Sequence, residues 1–139
     1  MRAAASELTG LQAALAGEHA AVWAAGRAAG ELRGNARTRA LRQLDEHRQA
    51  RDALRRSIVA LGADPVQAAP AYVEPFRVEG AAGGRRLLAH VNEALAATYA
   101  DLAAASAPAA RRPAVTASTA AAVRALGWGA APSAFPGAD

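Results

Sequence analysis

Ala63-Asp64-Pro65-Val66-Gln67-Ala68-Ala69-Pro70-Ala71-Tyr72-Val73-Glu74-Pro75-Phe76-Arg77-Val78-Glu79-Gly80-Ala81-Ala82-Gly83 is the stretch that decides how this chain folds. Pro65, Pro70 and Pro75 hold it out of helix. At about 20 residues it far exceeds the common loop, which runs to about 4–6. Such a connection can travel the length of a 20-residue helix, about 30 Å at about 1.5 Å per residue. It is therefore expected to pack across its neighbours, with Tyr72 and Phe76 as plugs.

On either side the spacing predicts helices. From about residue 5 to 32, Leu8, Leu11, Leu15, Glu18, Val22, Ala25, Ala29 and Leu32 recur at steps of three and four, one buried face of a long helix. Gly34-Asn35 reads as a stop followed by an N-cap. A second helix, about 36–61, carries Leu41, Leu44, His47, Arg51, Leu54, Ile58 and Leu61 on one face. A third, about 84–106, carries Leu88, Val91, Leu95, Thr98 and Leu102, with Tyr99 flanking the stripe. Pro113 can open a fourth at about 113–126, with Val115, Thr119, Ala122 and Leu126 as its stripe. The tail, 127–139, brings Trp128 and Phe135, two rings expected to dock into hollows of an alanine-rich core. A simple up-down-up-down bundle needs a short loop between its second and third helices. Two antiparallel helical hairpins joined by a long crossover describe a ferritin-like four-helix bundle instead.

Composition excludes the rival classes. The chain has 139 residues, the size of one domain. Alanine supplies roughly a third of it and aromatic residues 4%, against the Val-, Ile- and aromatic-rich usage of sheet proteins. No apolar run is long enough for a membrane span, and no signal peptide is read at the start, so a cytoplasmic location is expected. There is no cysteine, hence no disulfide and no thiolate chemistry. Net charge is +4, from 16 basic residues that are all arginine and 12 acidic ones. Half of the arginines fall between Arg33 and Arg56, which admits an anion- or nucleic-acid-binding helix. Asp45, Glu46 and Asp52 are interleaved there, spaced to pair with Arg48, Arg42 and Arg56. An ion-paired, solvated face is the expected reading, and nucleic acid is not the expected partner.

The chemistry, if there is any, lies on the apolar faces. Glu18 stands on the first stripe and His47 on the second, with Arg51 one turn beyond it. A buried carboxylate needs a partner or a metal. In an antiparallel hairpin all three side chains can meet. A di-iron bundle needs two Glu-x-x-His motifs, and this sequence has none; Leu44 stands three residues before His47. A single iron or manganese on Glu18 and His47, with His19 completing the shell, is the metal reading. A Glu18–Arg51 ion pair with His47 beside it is the structural one. Gly80-Ala81-Ala82-Gly83-Gly84-Arg85-Arg86 offers amides and cations to an anion but lacks a phosphate-loop ending. His90 and Glu93 read as a surface pair. No arrangement of Ser, His and acid points to a nucleophile, so no catalytic residue is assigned.

Gly17-Glu18-His19-Ala20-Ala21-Val22-Trp23 resembles the helix-one signature of a ferritin-like domain family of unknown function found mainly in high-GC bacteria. His47-Arg48 and Arg51-Asp52-Ala53-Leu54 resemble its second helix, and Leu61-Gly62-Ala63-Asp64-Pro65, Ala69-Pro70-Ala71-Tyr72 and Pro75-Phe76 its crossover. Thr98-Tyr99-Ala100-Asp101-Leu102 and Phe135-Pro136-Gly137 are similar to its third helix and tail. The resemblance implies the bundle and the family positions Glu18, His47 and Arg51, and no activity. It also implies a helix-three carboxylate where this chain has Asn92. The expectation is a non-catalytic bundle acting through association. A homodimer could form over the small-residue faces Ala13, Ala20 and Ala24, and Ala96, Ala100 and Ala103.

Overall fold

The computed structural model describes residues 2–134, and they form four helices. These are α1 (Arg2–Glu31), α2 (Gly34–Ala60), α3 (Gly80–Ala105) and α4 (Pro108–Gly127), with no strand among the described residues. Several boundaries differ from the sequence reading: α3 opens at Gly80 rather than about 84, so residues 80–83 belong to the helix and not to the crossover. Only Leu32 and Arg33 separate α1 from α2, because Gly34 takes a left-handed φ of +57° and turns the chain at once. Asn35 is exposed inside the helix rather than its cap. α4 opens at Pro108, not Pro113; Pro113 lies inside the helix on its exposed side. Arg111 donates from Nε to the Ala103 carbonyl (3.2 Å) and from Nη2 to that of Ser106 (3.1 Å), tying α4 to the end of α3.

The buried faces of α1 and α3 follow the expected spacing; on α2, Leu44, His47, Leu54 and Ile58 are buried, whereas Leu41 and Leu61 at the two ends of the stripe are exposed. Leu15, Leu87, Leu88, Leu95 and Ile58 are fully buried among alanines. The stripe on α4 was misplaced by one residue: Ala114, Ala121 and Ala125 face inward, while Val115, Val123 and Leu126 are exposed. α4 packs against α3 through these small side chains. The Ser118 hydroxyl reaches the Ala96 carbonyl at 2.7 Å.

α1 packs against α2 and α3, and α3 against α4. The contacts fix direction. Glu18 meets His47, one residue well before and one well after a two-residue turn, so α1 and α2 are antiparallel. Gly10 abuts Leu102, Gly17 abuts Leu95 and Gly84 abuts Ala28, so α3 also runs opposite to α1. A Cβ on Gly17 would stand 2.9 Å from Leu95 Cδ2, which is why the two helices can close this far. Asn92 meets Arg124 and Ala96 meets Ser118, making α4 antiparallel to α3. The order is up-down-down-up. α2 therefore ends at the opposite end of the bundle from the start of α3.

Residues 61–79 close that gap by running along α1. Gln12 Nε2 donates to the Asp64 carbonyl (2.7 Å) and Gln12 Oε1 accepts from Val66 N–H (2.8 Å). Tyr72 stacks on Trp23 with centroids 5.4 Å apart. Further on, Arg27 donates to Glu74 (2.6 Å), to Glu31 (2.7 Å) and to the Val78 carbonyl (2.6 Å). Glu31 in turn accepts the Gly80 N–H at 2.8 Å. Phe76 meets the His90 ring edge-on and lies under the Arg86 guanidinium at 3.9 Å. Both plugs behave as expected.

Arg27 is the latch of this crossover. Its hydrogen bond, then the Gly80 amide, hold the Glu31 carboxyl below the ordinary Glu value of 4.5. A depressed carboxyl contributes stability above the ordinary value and loses it as pH falls through the folded one. Arg27→Ala is expected to speed amide exchange across residues 66–79 while α3 stays protected. Acidification below pH 4.5 is expected to do the same to the unmodified protein. Uniform exchange rates in both experiments would show that the crossover is held elsewhere.

At this same end, Trp128 docks as expected. It is buried, its indole N–H donates to Gln43 Oε1 at 2.7 Å, and Arg39 lies over the ring at 3.6 Å. Phe135 lies outside the described residues.

Candidate functional site

Glu18 on α1, His47 on α2 and Tyr99 on α3 meet in the core, exposed by 1%, 1% and 5%. His47 Nδ1 lies 2.7 Å from Glu18 Oε2, and the Tyr99 hydroxyl donates to Glu18 Oε1 at 2.7 Å. A carboxylate only accepts, so the Nδ1 of His47 carries the proton. Burial, and then the charge and hydrogen bond of Glu18, push the Tyr99 phenol far above its ordinary value of 10.0. It stays a donor at any physiological pH. Next to it, Arg124 of α4 donates from Nε to Asn92 Oδ1 (2.8 Å), and Asn92 Nδ2 donates to the Leu88 carbonyl (2.8 Å). The Arg124 charge acts on Tyr99 in the opposite sense to Glu18. One polar layer thus crosses the bundle, with a residue from every helix.

Arg51 does not join it. Its Nε bonds Asp52 at 2.9 Å on the solvent side. The register set by the Glu18–His47 pair explains this. Arg51 lies four residues after His47 and so faces Ala14, four before Glu18, one helical turn away from the carboxylate. His19 is buried but points to the crossover, 3.1 Å from the Val66 carbonyl. Of the Arg-rich face, Arg48–Asp45 (3.1 Å) and Arg42–Glu46 (4.0 Å) pair as expected, whereas Asp52 takes Arg51 rather than Arg56.

Sequence reasoning missed two members. Tyr99 lies four residues after Leu95, so its phenol reaches the core, and an aromatic with a polar tip was a natural partner for Glu18. Arg124 is the lone charge between Pro113 and Gly127, a position that calls for a buried acceptor.

The donor set does not fit a di-iron centre. Both Glu18 oxygens accept protons from protein groups. No group of three or more His, Asp or Glu side chains converges among the described residues. His47 Nε2 is the one buried side-chain polar atom without a partner there. A single nitrogen does not make a metal site.

The Ala faces offered for a dimer are partly spent inside the fold: Ala24, Ala96 and Ala103 are buried within the chain.

The structure is similar to the crystal structure of a conserved hypothetical protein, rv2844, from Mycobacterium tuberculosis, with a TM-score of 0.85 and 28% identity. The match covers 89% of this chain and 95% of that one. No curated protein matches the sequence. Residues 10–139, nearly the whole chain and including the entire polar layer, match the domain of unknown function DUF4439. The chain belongs to that family.

Proposed function

We propose that this protein is a ferritin-like bundle without a di-iron centre, a non-catalytic domain that acts by binding another molecule. The up-down-down-up order with its crossover along α1 supports the ferritin-like reading. One observation carries the rest: the carboxylate placed where such bundles hold a ligand is saturated by His47 and Tyr99. A hydrogen-bonded acid-histidine-tyrosine layer fixes helix register and engages both carboxylate oxygens.

A second reading rests on His47 Nε2. A histidine whose Nδ1 donates to a carboxylate is oriented as metal-binding histidines are, and its other nitrogen has no partner. Metal analysis by mass spectrometry, on protein purified without chelator or nickel, separates the two. The expected result is substoichiometric iron and manganese and no uptake during Fe(II) titration. Stoichiometric metal that disappears in both Glu18→Gln and His47→Ala would replace the binding-domain reading with the metal one.

A further inference from the structure

Arg39, Arg85 and Arg86 gather around Trp128 and Phe76 at one end of the bundle. The Arg39 guanidinium lies 3.6 Å and that of Arg85 5.7 Å from the Trp128 centroid, and Arg86 covers Phe76 at 3.9 Å. None of the three has a carboxylate partner among the described residues; Arg39 donates only to the Gly127 carbonyl, at 2.6 Å. Burial and the neighbouring charges of Arg85 and Arg42 press the Arg39 cation in the direction of losing its proton. Among the described residues this is a cluster of mutually repelling cations with no bonded carboxylate, unlike the paired middle of α2.

The cluster opens onto a trough. A groove of about 700 Å³ contains Arg85, Arg86, Phe76 and Trp128 in its wall. It shares His90, Glu93, Ala130 and Ala131 with a second groove of about 410 Å³. The second is walled mainly by alanines of α3 and α4 and by Leu126. Both volumes are in the usual range for small-molecule sites, about 300–1,000 Å³. One end is cationic and the other apolar. Glu93 lies eight residues beyond Arg85, about 12 Å along the axis at about 1.5 Å per residue. That is past the screening length of about 8 Å at physiological salt, so it does not cancel the cationic end.

From this juxtaposition we propose that the trough between α3, α4 and residues 128–133 binds a small amphipathic anion, with its acid group on Arg85 and Arg86 and its apolar body along the alanine wall. Charge complementarity selects the acid group, since guanidinium pairs well with carboxylate and phosphate. Nucleic acid fits less well: the ring faces that could stack on bases are covered by guanidinium groups. The site is independent of the Glu18 layer and deepens the binding-domain reading by naming a ligand class.

Decanoate, below its micelle concentration, is the probe, titrated into the full-length protein by calorimetry and by amide chemical shifts. Decanol, inorganic phosphate and decyltrimethylammonium serve as comparisons. One decanoate per chain is expected, with shifts centred on Arg85, His90 and Ala130. The other three probes are expected to bind at least about tenfold more weakly, the equivalent of one charge-assisted pair. Arg85→Gln/Arg86→Gln should weaken decanoate by about tenfold or more and leave the circular dichroism unchanged. Decanoate binding no better than decanol, or undiminished in the double variant, overturns the proposal. So does binding to phosphatidylglycerol vesicles without binding monomeric decanoate, which would make the surface a membrane contact. Because Arg85 and Arg86 lie outside the Glu18 layer, metal uptake would defeat the binding-domain reading without touching this one.

Discussion

His47→Leu is expected to lower the free energy of unfolding by about 3–5 kcal/mol, the usual cost of removing one partner from a buried ion-type pair. The substitution leaves the Glu18 carboxylate in the core with Tyr99 as its only donor. Taking the whole layer away gives the opposite result. Glu18→Leu/His47→Leu/Tyr99→Phe removes the charge along with its partners, so its stability is expected to return to within about 1 kcal/mol of the parent or to exceed it. Urea denaturation of the two variants decides the matter. A single variant as stable as the parent would mean that His47 does not neutralise Glu18. Tyr99 provides a separate readout. Its phenol is raised above 10.0, so its contribution is complete below that pH and is lost as pH climbs toward the folded value. In alkaline titration the absorbance of one tyrosinate should therefore appear only with unfolding, and Tyr99→Phe should abolish that delayed step.

The same layer shows what the sequence could and could not reveal. Periodicity placed Glu18 and His47 on facing stripes because their neighbours are leucines, whose burial is unambiguous. Arg51 sits on the same stripe and failed, because stripe membership does not resolve one helical turn. The Leu32–Arg33 turn sets the register, and it turned out shorter than the Gly34-Asn35 punctuation suggested. α4 was legible only as a helix. With eight alanines among its 20 residues and only three larger aliphatic side chains, the hydrophobic pattern has little contrast, and Val115 and Leu126 pointed to the wrong face. The crossover was legible from its prolines and its length alone, since nothing but a journey along a helix absorbs that much chain. The anion trough was not, because Arg85 and Trp128 are 43 positions apart in sequence and meet only in the fold.

Trp128→Ala is expected to cost about 3–5 kcal/mol, as truncating a buried tryptophan generally does. Its position makes the loss specific. The backbones of α2 and α4 do not approach closely, and the bond between the two helices themselves runs from Arg39 to the Gly127 carbonyl (2.6 Å). Trp128, bonded to Gln43 and covered by Arg39, fastens the end of α4 to the start of α2. An alanine core has few large side chains to collapse into the void. The bundle should therefore open locally at this end before it unfolds globally. Amide exchange in Trp128→Ala should rise in residues 36–46 and 121–130 and remain slow around Leu15, Leu88 and Leu95, which belong to the α1–α3 interface. Trp128→Phe keeps most of the apolar surface but leaves Gln43 Oε1 without its donor, a cost of about 1–3 kcal/mol for a buried unsatisfied acceptor. If both variants lose stability equally, the hydrogen bond and not the ring is what fastens the helices. If exchange rises evenly over the whole chain, this end is not a separate unit, and the arginine cluster beside it would owe its geometry to the entire bundle.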